Sequence, residues 1–161
     1  MTLQDTPSHL ASKPVMISPL HPVLPPAPGR TLYWQHLFGS SRGLSLIQAA
    51  RAHGGPVLVI TRDNRSAQQL EDELRFYAPR DADLPLLPLP DWESLPYDTF
   101  SPHQDILSRR LLTLSRLSGL TQGILLVSVT TLMQRLPPLD YLLAHSLMLD
   151  VGDRQIGRAH V

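Results

Sequence analysis

Two short apolar runs constrain the fold of this chain more than any other feature. Pro56–Thr61 (PVLVIT) and Gly123–Val129 (GILLVSV) are continuous, carry no charged residue and are rich in aliphatic side chains. Such runs are typical of strands in a parallel sheet, which are buried on both faces. Helical patterns alternate with them along the chain, and this alternation predicts an α/β domain with a parallel sheet flanked by helices.

The helices are predicted from apolar spacing and from signals at their ends. A glycine pair, Gly54 and Gly55, ends the first helix, and two Ser-x-x-Gln patterns are typical of capping boxes at the starts of the next two. The remaining short elements are a strand broken by prolines, a helix that begins at Thr130 or Thr131, and a further strand near the end. The predicted elements are helices over Leu44–Ala52, from Ser66 to Tyr77, from Ser101 to about Leu117 and from Thr130 to about Arg135, with strands over Leu84–Leu89 and Ser146–Val151.

The first 29 residues differ from the rest in composition. They contain seven prolines, a density that forbids a continuous helix or an interior strand. The segment 1–29 is therefore interpreted as a disordered, proline-rich tail. A ligand for a proline-binding partner is the alternative reading.

Composition excludes several classes of protein. The formal net charge is zero, so there is no overall electrostatic signature of a nucleic-acid or membrane surface. Cysteine is absent, which excludes disulfides and thiolate metal sites and fits a cytoplasmic protein. No apolar run approaches the roughly 18 residues of a membrane span. No two of the seven histidines lie three or four residues apart, so the sequence offers no helical metal pair.

A segment before the first helix partly matches a phosphate-binding loop. Gly39, Gly43 and Ser45 supply two glycines and a hydroxyl, but the spacing is one residue short. Leu44 also stands where the motif needs a lysine to reach the phosphates. We therefore expect a degenerate loop that opens a helix, with no catalytic residue, no bound cofactor and no metal.

The densest group of aromatic residues lies between Leu89 and Ile106. Trp92, Tyr97 and Phe100 could stack on nucleic-acid bases, or they could equally anchor the connection to the edge of the sheet. Arg109 and Arg110 follow on the next helix and could meet a phosphate or an acidic partner, with a solvated helix face as the default. Acidic residues in the same run are interpreted as turn and helix-start residues rather than as catalytic pairs: Asp91, Glu93, Asp98 and Asp105.

The run Leu89–Ile106, with Leu107–Leu114 and Val127–Arg135 after it in the same order, resembles the N-terminal UvrB-like module of the transcription-repair coupling factor family, Mfd. The resemblance implies a degenerate P-loop NTPase scaffold, RecA-like and similar to UvrB domain 1a, present here incompletely. It also implies a cytoplasmic parent enzyme, an ATP-dependent DNA helicase or translocase that hydrolyses ATP with magnesium in separate motor domains. The implied partners of that parent are RNA polymerase, UvrA and double-stranded DNA, with no membrane.

The resemblance also divides the chain. It implies a UvrB-like α/β domain over 30–136 and the truncated start of a UvrA-contacting domain over 137–155. The resemblance breaks off after Gln155, and residues 156–161 are interpreted as an artificial tail. The chain itself is then a non-catalytic interaction scaffold that lacks most of the UvrA-binding surface. Two alternatives stay open, an active nucleotide-binding UvrB-like domain and a free-standing protein-interaction module.

Overall fold

A parallel sheet of three strands forms the centre of the structure, a computed structural model that describes residues 14–78, 84–92, 103–138 and 140–142. The predicted α/β class is confirmed. No helix among these residues is long and apolar enough to cross a membrane. The elements in chain order are β1 (Pro14–Met16), β2 (Tyr33–Gln35), α1 (Ser41–His53), β3 (Pro56–Thr61), α2 (Asn64–Tyr77), β4 (Leu86–Leu89), α3 (Gln104–Leu117), β5 (Gly123–Ser128) and α4 (Val129–Leu132).

The strand order of the central sheet is β3-β5-β4, with every pair parallel. Pro56 lies opposite Gly123 and Thr61 opposite Ser128, so β3 and β5 are aligned over their full length. Strand β4 comes before β5 in the chain but lies at the edge of the sheet opposite β3. Strand β5 therefore lies between β3 and β4. This arrangement makes β5 the one strand of this sheet that is paired on both sides.

Alternate side chains of β5 enter two separate hydrophobic clusters. Ile124 and Leu126 pack with residues of α1 and α2, whereas Val127 packs with Leu114 of α3. Because neighbouring residues of a strand point to opposite faces, α1 and α2 cover one face of the sheet and α3 covers the other. The first cluster contains Ile47, Ala50, Leu70, Leu74, Leu84, Ile124 and Leu126, and the second contains Leu89, Leu114, Val127 and Leu142.

The prediction that Pro56–Thr61 is buried on both faces is wrong. The strand forms with the predicted bounds, but Leu58 and Ile60 are 52% and 50% exposed. The reason is position: β3 lies at the edge of the described sheet, and the second hydrophobic cluster is built on β4 and β5. Only the side chains that point towards α1 and α2, such as Val57 and Val59, pack against a core.

The helix starts also differ from the predicted ones. Helix α2 begins at Asn64 and is capped by Asp63, whose carboxylate Oδ1 accepts a hydrogen bond from the Ser66 N–H at 2.7 Å. Ser66 is therefore the third residue of the helix and not its cap. Helix α4 begins at Val129 because the Ser128 hydroxyl accepts from the Thr131 N–H. Helix α3 begins after His103, and the proposed cap Ser101 lies outside the described residues.

The structure describes residues 14–29 of the proline-rich segment, and they include the short strand β1. The disordered tail over 1–29 stays a prediction. Strand β1 pairs in parallel with β2, with Val15 opposite Trp34. The indole N–H of Trp34 also donates to the Val23 carbonyl at 3.0 Å. Proline is compatible with this strand because Pro14 is its first residue, where a missing N–H is tolerated.

Replacement of Leu126 by alanine tests the importance of β5. Leu126 is 2% exposed in the first cluster, so Leu126→Ala should lower the free energy of unfolding by about 2–5 kcal/mol. The matched control is Leu58→Ala on β3, which should cost less than half as much because that side chain is half exposed. The measurement is urea denaturation followed by circular dichroism, and equal losses for the two variants would contradict the assignment of β5 as the central strand.

Candidate interaction site at the carboxyl edge of the sheet

Polar side chains collect where the parallel strands of the central sheet end. Ser128 is the last residue of β5, Asp91 follows β4 by two residues, and Asn64 begins the helix after β3. In open α/β sheets, this edge is where ligands usually bind, at the point where connections leave on opposite faces. We call this group, with Thr130 and Gln134, the carboxyl-edge cluster.

Asp91 is the centre of the carboxyl-edge cluster. Its carboxylate accepts hydrogen bonds from Asn64 Nδ2 at 2.6 Å, from the Trp92 N–H at 2.8 Å and from Gln134 Nε2. The Asn64 carbonyl oxygen in turn accepts from the Ser128 hydroxyl. One carboxylate thus connects the start of α2, the end of β4 and the segment after α4.

These contacts stabilise the ionised form of Asp91. Partial burial alone would raise the pKa of the carboxyl group, but hydrogen bonds from Asn64, Gln134 and the Trp92 backbone, with the nearby positive charge of Arg110, lower the pKa below its ordinary value of 3.8. The group is therefore an anion at neutral pH. An anion whose lone pairs are already engaged is suited to holding elements together and not to donating a proton.

Arg110 lies beneath this cluster and is 2% exposed. Its guanidinium carbon is 4.2 Å from the centre of the Trp92 ring, and Nη1 donates to the Pro90 carbonyl. Burial lowers the pKa of Arg110, and the charge of Asp91 opposes that shift. The expectation that Arg109 and Arg110 share a solvated basic face is wrong for Arg110, because that side of α3 turns towards β4. The contact supports the anchoring interpretation of Trp92.

Arg109 remains half exposed and belongs to a second polar group. Its Nη2 lies 3.4 Å from Oε1 of Glu71, and the same oxygen accepts from Arg75 Nη2 at 2.7 Å. The Glu71 side chain is 8% exposed, so two arginines on α2 and α3 compensate one nearly buried carboxylate. This contact bridges the two helices beside β4.

A cavity of about 310 Å³ opens between the carboxyl-edge cluster and the Glu71 group. Its volume is at the lower end of the range for small-molecule sites. Two arginines and two carboxylates line it, so their formal charges cancel and the cavity does not select for an anion or a cation. The polar lining residues include Asn64, Arg65, Gln68, Glu71, Asp91, Arg109 and Ser128.

The residues of the degenerate phosphate loop lie elsewhere, at the start of α1. Gly39 has a φ of 56°, in the left-handed region that favours glycine. The Gly43 N–H donates to Glu73 Oε2 at 3.2 Å, and the Ser45 hydroxyl donates to the Ser41 carbonyl at 2.9 Å. These contacts are within α1 and with α2, and none involves the carboxyl-edge cluster.

The other predicted residues have separate positions. Tyr97, Phe100, Glu93 and Asp98 lie outside the described residues. Asp105 is exposed in the first turn of α3, where its N–H donates to His103 Nδ1 at 3.4 Å. In the part of the chain that the structure describes, no group of three or more histidine, aspartate or glutamate residues could hold a metal ion.

Sequence reasoning missed Asn64, Ser128 and Gln134. A usable signal was the presence of polar residues near the carboxyl end of each apolar run, since the carboxyl ends of parallel strands meet at one edge. Nothing local in the sequence pairs Gln134 with Asp91, because 43 residues separate them.

The fold and this edge define an α/β domain in which the ends of the parallel strands are joined by a network of its own polar side chains. No protein-family model matches the chain. It is 40% identical over 131 residues to the transcription-repair-coupling factor of Escherichia coli (strain K12), covering 81% of this chain and 11% of that protein. The protein of the same name from Haemophilus influenzae is 37% identical over 135 residues, covering 84% and 11%. That from Mycobacterium tuberculosis is 36% identical over 115 residues, covering 67% and 9%.

These similarities identify the family. The chain belongs to the transcription-repair-coupling factor family, and it spans about a tenth of the length of the curated relatives it matches.

The central role of Asp91 predicts a pH-dependent effect of Asp91→Ala. The variant leaves the donors of Asn64 and Gln134 without their acceptor, and it should lower the free energy of unfolding by about 1–3 kcal/mol at pH 7. A carboxyl group whose pKa is lowered on folding stabilises the fold above its ordinary pKa, and this contribution is lost as the pH falls through the folded-state pKa. The difference between the two proteins should therefore shrink as the pH falls below 3.8, the ordinary pKa of the group.

The control for this experiment is Asp72→Ala, which removes an exposed carboxylate that accepts a hydrogen bond from Gln68 on the same helix. Denaturant titrations of the three proteins at neutral and acid pH measure the effect. A loss that is the same at both pH values would show that the charge of Asp91 does not contribute.

Proposed function

We propose that this chain is part of the N-terminal UvrB-like module of a transcription-repair coupling factor, and that it acts there as a non-catalytic scaffold. The observation that carries the proposal is the start of α1, where a phosphate loop would bind nucleotide. Leu44 replaces the lysine, the Gly43 N–H is engaged by Glu73, and the Ser45 hydroxyl is engaged by Ser41. The Gly43 amide and the Ser45 hydroxyl, which the motif would use for phosphate and magnesium, thus both donate to groups within the chain.

The parent protein supplies the activity in this proposal. It is an ATP-dependent DNA translocase that binds double-stranded DNA, displaces stalled RNA polymerase and recruits nucleotide excision repair through UvrA in the cytoplasm. ATP and magnesium bind in motor domains outside this chain. The names of the relatives support the coupling of transcription to repair, and the coverage of about a tenth of their length supports a division of tasks along a longer protein.

The proposed role of the scaffold is to position neighbouring parts of the parent. The carboxyl-edge cluster fixes Gln134, which lies just before the residues expected to begin the UvrA-contacting domain at 137. Asp91 also fixes the backbone of Trp92, where the aromatic run begins. Asp91 therefore holds Gln134 and the Trp92 backbone at the same edge of the sheet, which is consistent with a scaffold role.

Nucleotide binding by the 161-residue chain tests this proposal. Isothermal titration calorimetry with ATP and magnesium should show no saturable binding with a dissociation constant below about 1 mM, and ATP hydrolysis should match the protein-free blank. Gly43→Pro is the matched variant, because it removes the Gly43 amide, which donates to Glu73 in the unchanged chain. Saturable binding that Gly43→Pro abolishes would contradict the proposal and favour the alternative of an active nucleotide-binding UvrB-like domain.

A further inference from the structure

Helix α1 begins without a local cap. Its N-cap residue, Ser40, makes no side-chain hydrogen bond to a helix amide, and the first turn contains no acidic residue. The first amides of a helix have no partner within the helix and carry a partial positive charge, so they require an acceptor from elsewhere. Here the acceptor comes from a different helix, through Glu73 of α2.

Two donors of α1 converge on the carboxylate of Glu73. The Gly43 N–H donates to Oε2 at 3.2 Å, and Arg42 Nη2 donates to Oε1 at 3.0 Å. Each oxygen therefore receives one donor, as in the two-pronged recognition of a free carboxylate or phosphate. The side chain of Glu73 is 19% exposed, so this contact is partly shielded from water.

The contact requires a glycine at position 43. A Cβ atom there would lie 2.7 Å from the Cβ of Glu73 and 3.1 Å from its Oε2, so one of the two helices would have to move. A second bond joins the same helices, between the Ser40 hydroxyl and the Tyr77 hydroxyl at 2.8 Å. Gly43 is thus explained by the close approach of α2, without any phosphate.

We propose that Glu73 is a built-in anion, which occupies the position at α1 that an external phosphate would need and clamps α1 to α2. The inference deepens the proposed scaffold role and rests on it, because it names the residue that keeps the degenerate loop closed. The same carboxylate caps the helix and compensates Arg42. Glu73 then has two effects: it occupies the position that a phosphate would need, and it holds α1 against α2.

Removal of the carboxylate should make the start of α1 responsive to phosphate. The proteins compared are the unchanged chain, Glu73→Ala, the double variant Arg42→Ala with Glu73→Ala, and Asp72→Ala as the matched control on the next residue of α2. Thermal unfolding is recorded in about 10 mM phosphate and in chloride of equal ionic strength, so that general screening is the same. Phosphate should raise the Tm of Glu73→Ala by at least about 2 °C more than that of the other three proteins.

A second measurement applies if Glu73→Ala does not fold. Glu73→Gln keeps the size of the side chain but removes its charge, and the backbone amide resonance of Gly43 in a ¹H–¹⁵N NMR spectrum should shift on addition of phosphate in this variant and not in the unchanged chain. If neither variant responds selectively to phosphate, the proposed role of Glu73 is wrong, and the proposed scaffold function is unaffected. A saturable phosphate shift at Gly43 in the unchanged chain would contradict the proposed scaffold function as well.

Discussion

The pairing of β5 on both sides is the interaction on which the rest of the structure depends. Ile124 and Leu126 complete the core beneath α1 and α2, and Val127 completes the core beneath α3. All six residues of β5 pair with β3, and β4 pairs with the other side of β5. One strand therefore joins both hydrophobic clusters and both neighbouring strands. Hydrophobic burial is the dominant favourable term in folding, so a strand that serves two cores links their stabilities.

In two polar parts of the molecule, groups of the chain itself form hydrogen bonds at positions where other α/β proteins bind ligands. Asp91 and Asn64 engage each other at the carboxyl edge, and Glu73 engages the first turn of α1. A buried or half-buried polar group is costly when it lacks a partner, so these internal hydrogen bonds stabilise the carboxyl edge and the start of α1. They are consistent with the proposed scaffold role.

Several features of the fold followed from local sequence, and others depended on contacts across long stretches of chain. The run Pro56–Thr61 predicted a parallel strand with the observed bounds, because apolar continuity is a local property. Its position at the sheet edge depends on strand order, which the run does not encode. Asp63 and Ser66 are both good helix caps, and only the extended backbone at Asp63 decides between them. The burial of Arg110 depends on how α3 is rotated against β4, and the Gly43 to Glu73 contact spans 30 residues.

Gly43 illustrates that a residue of a partial motif can be required by packing and not by ligand binding. A glycine at the start of a helix is compatible with phosphate binding, but it is also required wherever another backbone or side chain approaches closely. In this chain, the atoms that approach Gly43 belong to Glu73, and their distance leaves no room for a larger residue. The requirement for helix packing is therefore enough to account for the glycine after the lysine is lost. The presence of this glycine therefore does not by itself indicate that the segment binds phosphate.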